Sequence, residues 1–148
     1  MELMSGNEAI AQGAWEAGCT IGVAYPGTPS TETLEAFAKK EGVYAEWCVN
    51  EKVAVEVGIG ASAAGARVLA TMKHVGVNVA ADPLFTAAYT GVGGGMVILA
   101  ADDPGMYSSQ NEQDNRHYAR AAKIAMVEPS DAQESKDFVA LACDISEQ

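Results

Sequence analysis

The side chains with chemistry to offer gather in four short stretches: Tyr25-Pro26-Gly27-Thr28-Pro29-Ser30-Thr31, Asn50-Glu51-Lys52, Lys73-His74, and Asp102 to Gln113. Glu51 stands out first. It follows Asn50, a good helix cap, and opens the almost uncharged run VAVEVGIGASAA. A carboxylate there favours the positive end of a helix by roughly 0.3 to 1 kcal/mol. Facing a crevice, the same carboxyl is an acid or acceptor that can exchange a proton with a ring nitrogen. Position alone leaves both roles open. Thr28, Ser30 and Thr31 lie in a proline-braced turn before a helix. They either cap it or help bind a carboxylate or carbonyl oxygen through hydroxyls and backbone N–H groups. The turn lacks the spacing of a Walker A or dinucleotide loop, and no GK[ST] follows Gly91 to Gly95. His74, next to Lys73, is a packed side chain or, in a crevice, one that orients a ligand or moves a proton. Asp102 and Asp103 precede Pro-Gly and read as turn caps. Ser108 to Asp114 reads as a solvated connection, with Asn111 and Gln113 available to a partner's backbone. The only histidines are His74 and His117, without paired ligand spacing, so no metal site is predicted. Ser108 has no His–Asp set at a recognisable spacing, which disfavours a serine hydrolase.

The segments between these stretches supply a frame. Ser5, with Glu8 three residues on, predicts a capped helix over Asn7 to Ala17. Thr20 to Tyr25 reads as a buried strand, and Thr31 to Lys40 as a helix capped by Thr28 or Ser30 and ended by Gly42. Val43 to Val49 predicts a second strand, and Glu51 to Ala64 a helix with Val53, Val57 and Ala61 on one face. In that helix Gly58 and Gly60 invite close approach of another element. Arg67 to Met72 is a third strand, Asn78 to Ala88 a helix weakened by Pro83, and Met96 to Ala100 a fourth strand covered on both faces. A short helix reaches Ala122, Ile124 to Val127 reads as a fifth strand, and Asp131 opens a last helix through Cys143. Strands alternating with helices predict an α/β fold with a mostly parallel sheet. In such a sheet ligands sit beyond the carboxyl ends of the strands, where all four polar stretches belong.

Composition narrows the function classes. The 148 residues carry nine Lys and Arg against twenty Asp and Glu, a formal charge of -11. That balance disfavours a nucleic-acid backbone as partner. About half the residues are apolar (49%), enough for one core, so a single domain is expected. No apolar run is long enough to span a bilayer, and MELMSGNEA has neither a basic nor a long apolar leader region. Cys19, Cys48 and Cys143 lie far apart and suggest no disulfide framework. A reduced, cytoplasmic setting is expected. The abrupt ending after the last helix suggests an N-terminal piece of a larger chain.

Four segments carry a resemblance: YPGTPSTE, EWCVNEKVAVEVGIGASAAGAR, TMKHVGVNVAADPL and ADDPGMYSSQNEQDNRHYAR. Together they closely resemble the thiamine-diphosphate-dependent 2-oxoacid:ferredoxin oxidoreductases, and among those the alpha subunits acting on indolepyruvate. The match runs from about Asn7 to Ser135. It implies that residues 1–148 are a single pyrimidine-binding (Pyr) domain, an α/β unit that holds the aminopyrimidine ring of thiamine diphosphate. Glu51 matches the family's glutamate that pairs with N1′ of that ring, which makes it catalytic as well as cofactor-binding. Thr28 looks like the threonine of the Pro-x-Thr-Pro turn, near cofactor and substrate carboxylate. Lys73 and His74 lie where the family's strand end approaches the active site. The resemblance implies substrate-binding roles for both and a catalytic one for His74.

The family's reaction is the oxidative decarboxylation of a 2-oxoacid to an acyl-coenzyme A, with ferredoxin as electron acceptor. The resemblance therefore implies Mg2+ with the diphosphate and 4Fe-4S clusters in the complete enzyme. The family's Gly-Asp-Gly motif and four-cysteine run are absent from this chain. Expected partners are the PP and ferredoxin-like parts of its own chain, a second oxidoreductase subunit, ferredoxin, 2-oxoacid and coenzyme A. The piece alone is expected to be inactive and to hold no cofactor tightly. The Gly/Ala-rich helix after Glu51 would face another domain or a mate, so a homodimer is expected. Two rivals share the fold: the Pyr domain of a non-redox decarboxylase and a non-catalytic assembly module. The NEKVA and KHVG segments favour the oxidoreductase.

Overall fold

Four short strands set the frame: β1 (Cys19–Ala24), β2 (Tyr44–Trp47), β3 (Arg67–Lys73) and β4 (Met96–Ala101). A computed structural model describes residues 3–148. Met1 and Glu2, the start of the stretch read as leaderless, lie outside the described residues. All strand pairs are parallel, in the order β2-β1-β3-β4. The chain leaves β1 towards β2 on one side and then crosses to β3 on the other. The carboxyl ends of β1 and β3 therefore flank the point where the winding reverses, the ligand crevice of such sheets.

Six helices cover the sheet: α1 (Gly6–Glu16), α2 (Thr31–Phe37), α3 (Glu51–Ala63), α4 (His74–Thr90), α5 (Arg116–Ala122) and α6 (Ala132–Ser146). Alternation along β3 divides the core. Leu69 packs with Leu34, Phe37, Ala11, Ala14, Val139 and Cys143 beneath α1, α2 and α6. Val68 and Ala70 point the other way, to Val23 and Ala54, and Met72 packs with Val55 and Val77 beneath α3 and α4. Burying a residue such as Phe37 or Leu34 contributes about 1.5 to 3 kcal/mol. Gly22 lets the Phe37 ring reach β1, since a Cβ there would lie 2.5 Å from Phe37 Cδ1.

Three caps agree with the sequence. Ser5 and Glu8 form a reciprocal capping box on α1, Asn50 Oδ1 accepts from Val53 N at 2.9 Å, and Asp131 accepts from Glu134 N at 2.8 Å. The start of α2 differs: neither Thr28 nor Ser30 caps it through its side chain. Ser30 Oγ donates back to Gly27 O, and Thr31 Oγ1 accepts from Gly27 N, which tightens the preceding turn.

Further differences concern longer segments. α4 starts at His74, not Asn78, because β3 passes into it without a loop, and Pro83 sits buried inside it. The buried face of α3 carries Glu51, Ala54, Val55, Gly58 and Ser62, while Val57 is exposed. Gly58 does meet Met96 and Val68, whereas Gly60 faces open space. Ile124 to Val127 forms no strand. Lys123 turns through the left-handed region (φ 60°), and Ile124 N donates to Ala119 O, which ties the segment to the end of α5. β4 consequently remains an edge strand, only partly buried along its length. Among the described residues no helix is long and apolar enough to cross a membrane.

Candidate functional site

At the carboxyl edge of the sheet Glu51, Lys73 and His74 lie buried within a few residues of strand ends. Glu51 is 8% exposed, Lys73 8% and His74 0%. Glu51 is the first residue of α3, positioned by the Asn50 cap. Its carboxylate makes no hydrogen bond or ion pair among the described residues. It lies against the first turn of α4, where Gly76 makes room. A Cβ on Gly76 would sit 2.5 Å from Glu51 Oε1 and 2.7 Å from its Cγ. A buried carboxylate without a donor is costly, and such groups are normally paired.

Lys73 and His74 are held by the connection after β4, which folds back as a strap. Lys73 Nζ donates to Ser108 O at 2.5 Å, and His74 Nε2 lies 3.0 Å from Asn111 O. A carbonyl only accepts, so Nε2 is the donor of that bond, and Nδ1 is left buried without a partner. Lys73 forms no ion pair among the described residues. Its positive charge thus rests on one neutral carbonyl, which leaves it free to attract an anion.

Asp103 shapes the strap. Its carboxylate accepts from Ser109 Oγ at 2.6 Å, Ser108 N at 2.7 Å and Tyr107 N at 3.3 Å. The Ser109 hydroxyl and the Ser108 N–H, with the Lys73 charge behind them, hold its pKa below the usual carboxylate range. Asp102 accepts from both nitrogens of Asn115 and anchors the far end of the strap. The predicted turn-cap role of the two aspartates thus has a further consequence, the seating of Lys73. Asn111 and Gln113, read as groups for a partner, bond to each other at 2.9 Å.

The predicted site residues are neighbours at one edge. Gly76, two residues past His74, touches Glu51, and Gly27 packs against Lys73, a Cβ there lying 3.1 Å from Lys73 Cβ. Thr28 follows Gly27 on the exposed rim of the turn. Sequence reasoning missed Gly76 and the strap. The glycine beside KHV was a visible signal for the first. Nothing local marks which carbonyls will reach a distant lysine.

A parallel α/β sheet with an unpartnered buried carboxylate at its switch point is the architecture of a cofactor-binding domain. The chain belongs to the family "Pyruvate flavodoxin/ferredoxin oxidoreductase, thiamine diP-bdg", whose model matches residues 12–148. It is 58% identical to the indolepyruvate oxidoreductase subunit IorA of Archaeoglobus fulgidus, over 97% of this chain and 24% of that protein. It is 54% identical to the IorA subunit of Methanothermobacter thermautotrophicus, over 96% of this chain and 24% of the other. The chain thus spans about a quarter of the length of these curated relatives. A solved structure, "2-oxoglutarate:ferredoxin oxidoreductase from Magnetococcus marinus with 2-oxoglutarate, coenzyme A and succinyl-CoA bound", shares the fold with a TM-score of 0.80. Identity there is 19%, covering 98% of this chain and 27% of that one.

The residues present fit the aminopyrimidine end of thiamine diphosphate. The ring nitrogen N1′ needs a carboxyl shielded from water and not already spoken for, and Glu51 is such a group.

Proposed function

We propose that residues 1–148 form the pyrimidine-binding domain of a longer alpha-type subunit that oxidatively decarboxylates indolepyruvate to its acyl-coenzyme A. Ferredoxin is the electron acceptor. The carrying observation is the buried Glu51 carboxylate, free of any partner within the described chain and seated against Gly76. The likeness to two IorA subunits at more than half identity supports the choice of indolepyruvate.

When bound, thiamine diphosphate supplies the carbon nucleophile for the 2-oxoacid carbonyl and the sink for the electrons left as carbon dioxide departs. The chain's own residues prepare that chemistry. Glu51 holds a proton at the N1′ position and exchanges it there, in a place largely closed to water. Lys73 attracts the substrate carboxylate, its charge being matched by no carboxylate of the protein. His74 is fixed through Nε2, so its free Nδ1 can accept a proton or hydrogen bond from the substrate side. Thr28, on the rim of the β1–α2 turn, orients substrate and cofactor.

The diphosphate with its Mg2+ and the 4Fe-4S clusters belong, in this reading, to other parts of the longer protein and its partner subunit, in the cytoplasm. The exposed side of α3 meets that remainder or a second copy. The test is dye or ferredoxin reduction by the complete protein with its partner subunit, comparing indolepyruvate, phenylpyruvate and pyruvate. Indolepyruvate should give the highest kcat/KM, and activity should vanish without thiamine diphosphate. Equal or better use of pyruvate, or cofactor-independent activity, would overturn the proposal.

A further inference from the structure

Away from the carboxyl edge, at the opposite end of the sheet, two thiols face each other. Cys19 opens β1 and Cys143 lies in the last turn of α6. Their Sγ atoms are 3.8 Å apart, and the side chains are 1% and 0% exposed. They are 124 positions apart in sequence, so only the fold brings them together. Cys48, the third cysteine, is buried in a different cluster, among Val23, Ala54, Val68 and Ala70.

We infer that Cys19 and Cys143 are a latent dithiol that a peroxide converts to an intrachain disulfide joining β1 to α6. A disulfide needs its sulfurs about 2.05 Å apart, so closure asks for just under 2 Å of approach. The surroundings favour the chemistry. Arg67 sits beside the pair, donating to Ala17 O and to the carboxylates of Asp144 and Glu147. The hydrogen bond from Cys19, with the guanidinium charge behind it, holds Cys143 below the ordinary thiol range, and the same contact together with burial pushes Cys19 up. Arg67 is fastened to Asp144, the residue after Cys143, so Cys143 is taken as the attacking thiolate and Cys19 as the resolving thiol.

The sequence of events balances. The Cys143 thiolate attacks one oxygen of hydrogen peroxide, the O–O bond breaks, and hydroxide leaves, giving a sulfenic acid. Cys19 then attacks that sulfur, the S–O bond breaks, and water leaves with the thiol proton. Two thiols and one peroxide yield one disulfide and two waters, and the two electrons pass from sulfur to peroxide oxygen. Access comes from local opening of α6, since the folded pair is shielded.

The protein in its native assembly, prepared anaerobically without thiols, is exposed to millimolar hydrogen peroxide and quenched. Free thiols are alkylated after unfolding, and peptides are mapped without reduction. The expected result is a Cys19–Cys143 cross-linked peptide that dithiothreitol reverses, with Cys48 still alkylated. Replacement of Cys143 by Ser (C143S) should abolish the cross-link and leave Cys19 alkylated. Because Cys48 is an internal reference in the unaltered protein, the outcome does not depend on that variant folding. Three free thiols after peroxide, a cross-link involving Cys48 or another chain, or sulfinic acid at Cys143 without a cross-link would each overturn the inference.

Discussion

Replacing Glu51 by Gln should separate stability from catalysis, because the structure assigns the two costs opposite signs. The exchange keeps the side chain's shape and removes a formal negative charge. Glu51 as a residue is 8% exposed, and its carboxylate accepts nothing within the described chain. Leaving a buried polar group unsatisfied costs about 1 to 3 kcal/mol, and more when it is charged. Against this stands the helix-dipole benefit of an acid at the first position of α3, about 0.3 to 1 kcal/mol. The amide would be equally unpartnered, so only the extra cost of the charge is recovered, and E51Q should stabilise the cofactor-free protein by at most about 1 kcal/mol. Denaturant unfolding at neutral pH would show this as a higher midpoint with an unchanged slope. In the complete enzyme the amide cannot exchange a proton at the cofactor ring, and kcat should fall by about 10² to 10⁴-fold. A variant that is less stable than the original by 1 kcal/mol or more would mean that Glu51 has a structural partner within the fold. A variant keeping a tenth of the activity or more would remove Glu51 from the proton path. Either result would refute the reasoning.

Gly76→Ala should act on the same carboxyl from the other side. Its Cβ would fall 2.5 Å from Oε1, so Glu51 must swing away, and activity should drop at least about tenfold with an overpacking cost near 1 to 3 kcal/mol. Steady-state kinetics beside thermal unfolding measures both. Lys73→Met keeps the stem that packs on Gly27 but removes the charge, and should raise KM for the 2-oxoacid about ten- to hundredfold while kcat changes little. An unchanged KM would take Lys73 out of substrate binding. Asp103 has a depressed pKa in the folded state, so its contribution to the strap is present above about pH 3.9, its unfolded value, and is lost as pH falls through the folded one. Amide protection factors at Tyr107 and Ser108 should therefore fall on acidification below about pH 4, and Asp103→Asn should bring that lower protection to neutral pH. Gly94→Ala would put a Cβ 2.3 Å from the backbone oxygen of Ala66 and disturb the Ser62 Oγ to Gly94 O bond, which should lower stability by about 2 kcal/mol or more in denaturant unfolding.

What the sequence disclosed follows the range of each interaction. Asn50 reaches Val53, Ser5 reaches Glu8 and Asp131 reaches Glu134, all within one helical turn, so the caps were legible from spacing. The four main strands were legible from apolar runs between turn residues. Val75 to Val77, outside the helix predicted from Asn78, sit in α4, where Val77 packs on Met72 and Val55. Ile124 to Val127 has the composition of a strand, but the left-handed turn at Lys123 directs it along α5 instead of the β4 edge. The site was legible in its residue types and not in its support. Glu51 and His74 are conspicuous in a pattern, whereas Ser108 O and Asn111 O are backbone atoms 35 and 37 positions from the side chains they hold.

The distribution of unsatisfied groups gives an independent reason to locate function at this edge. Native folds pair nearly all buried polar atoms, and exceptions tend to mark strain or a missing partner. Among the described residues the fully buried side-chain atoms without a partner are Thr71 Oγ1, His74 Nδ1 and Asn115 Oδ1. Thr71 lies two residues before the end of β3, His74 opens α4, and Asn115 is fastened to Asp102 just beyond β4. With the unpartnered carboxylate of Glu51, these groups belong to the carboxyl ends of strands or to the connections that follow them. Elsewhere the chain satisfies similar groups closely: Ser62 bonds Gly94, Thr33 bonds Asn7, and Arg67 spreads its donors over Ala17, Asp144 and Glu147. Among the described residues these open valences gather at the carboxyl edge of the sheet and not at its other end.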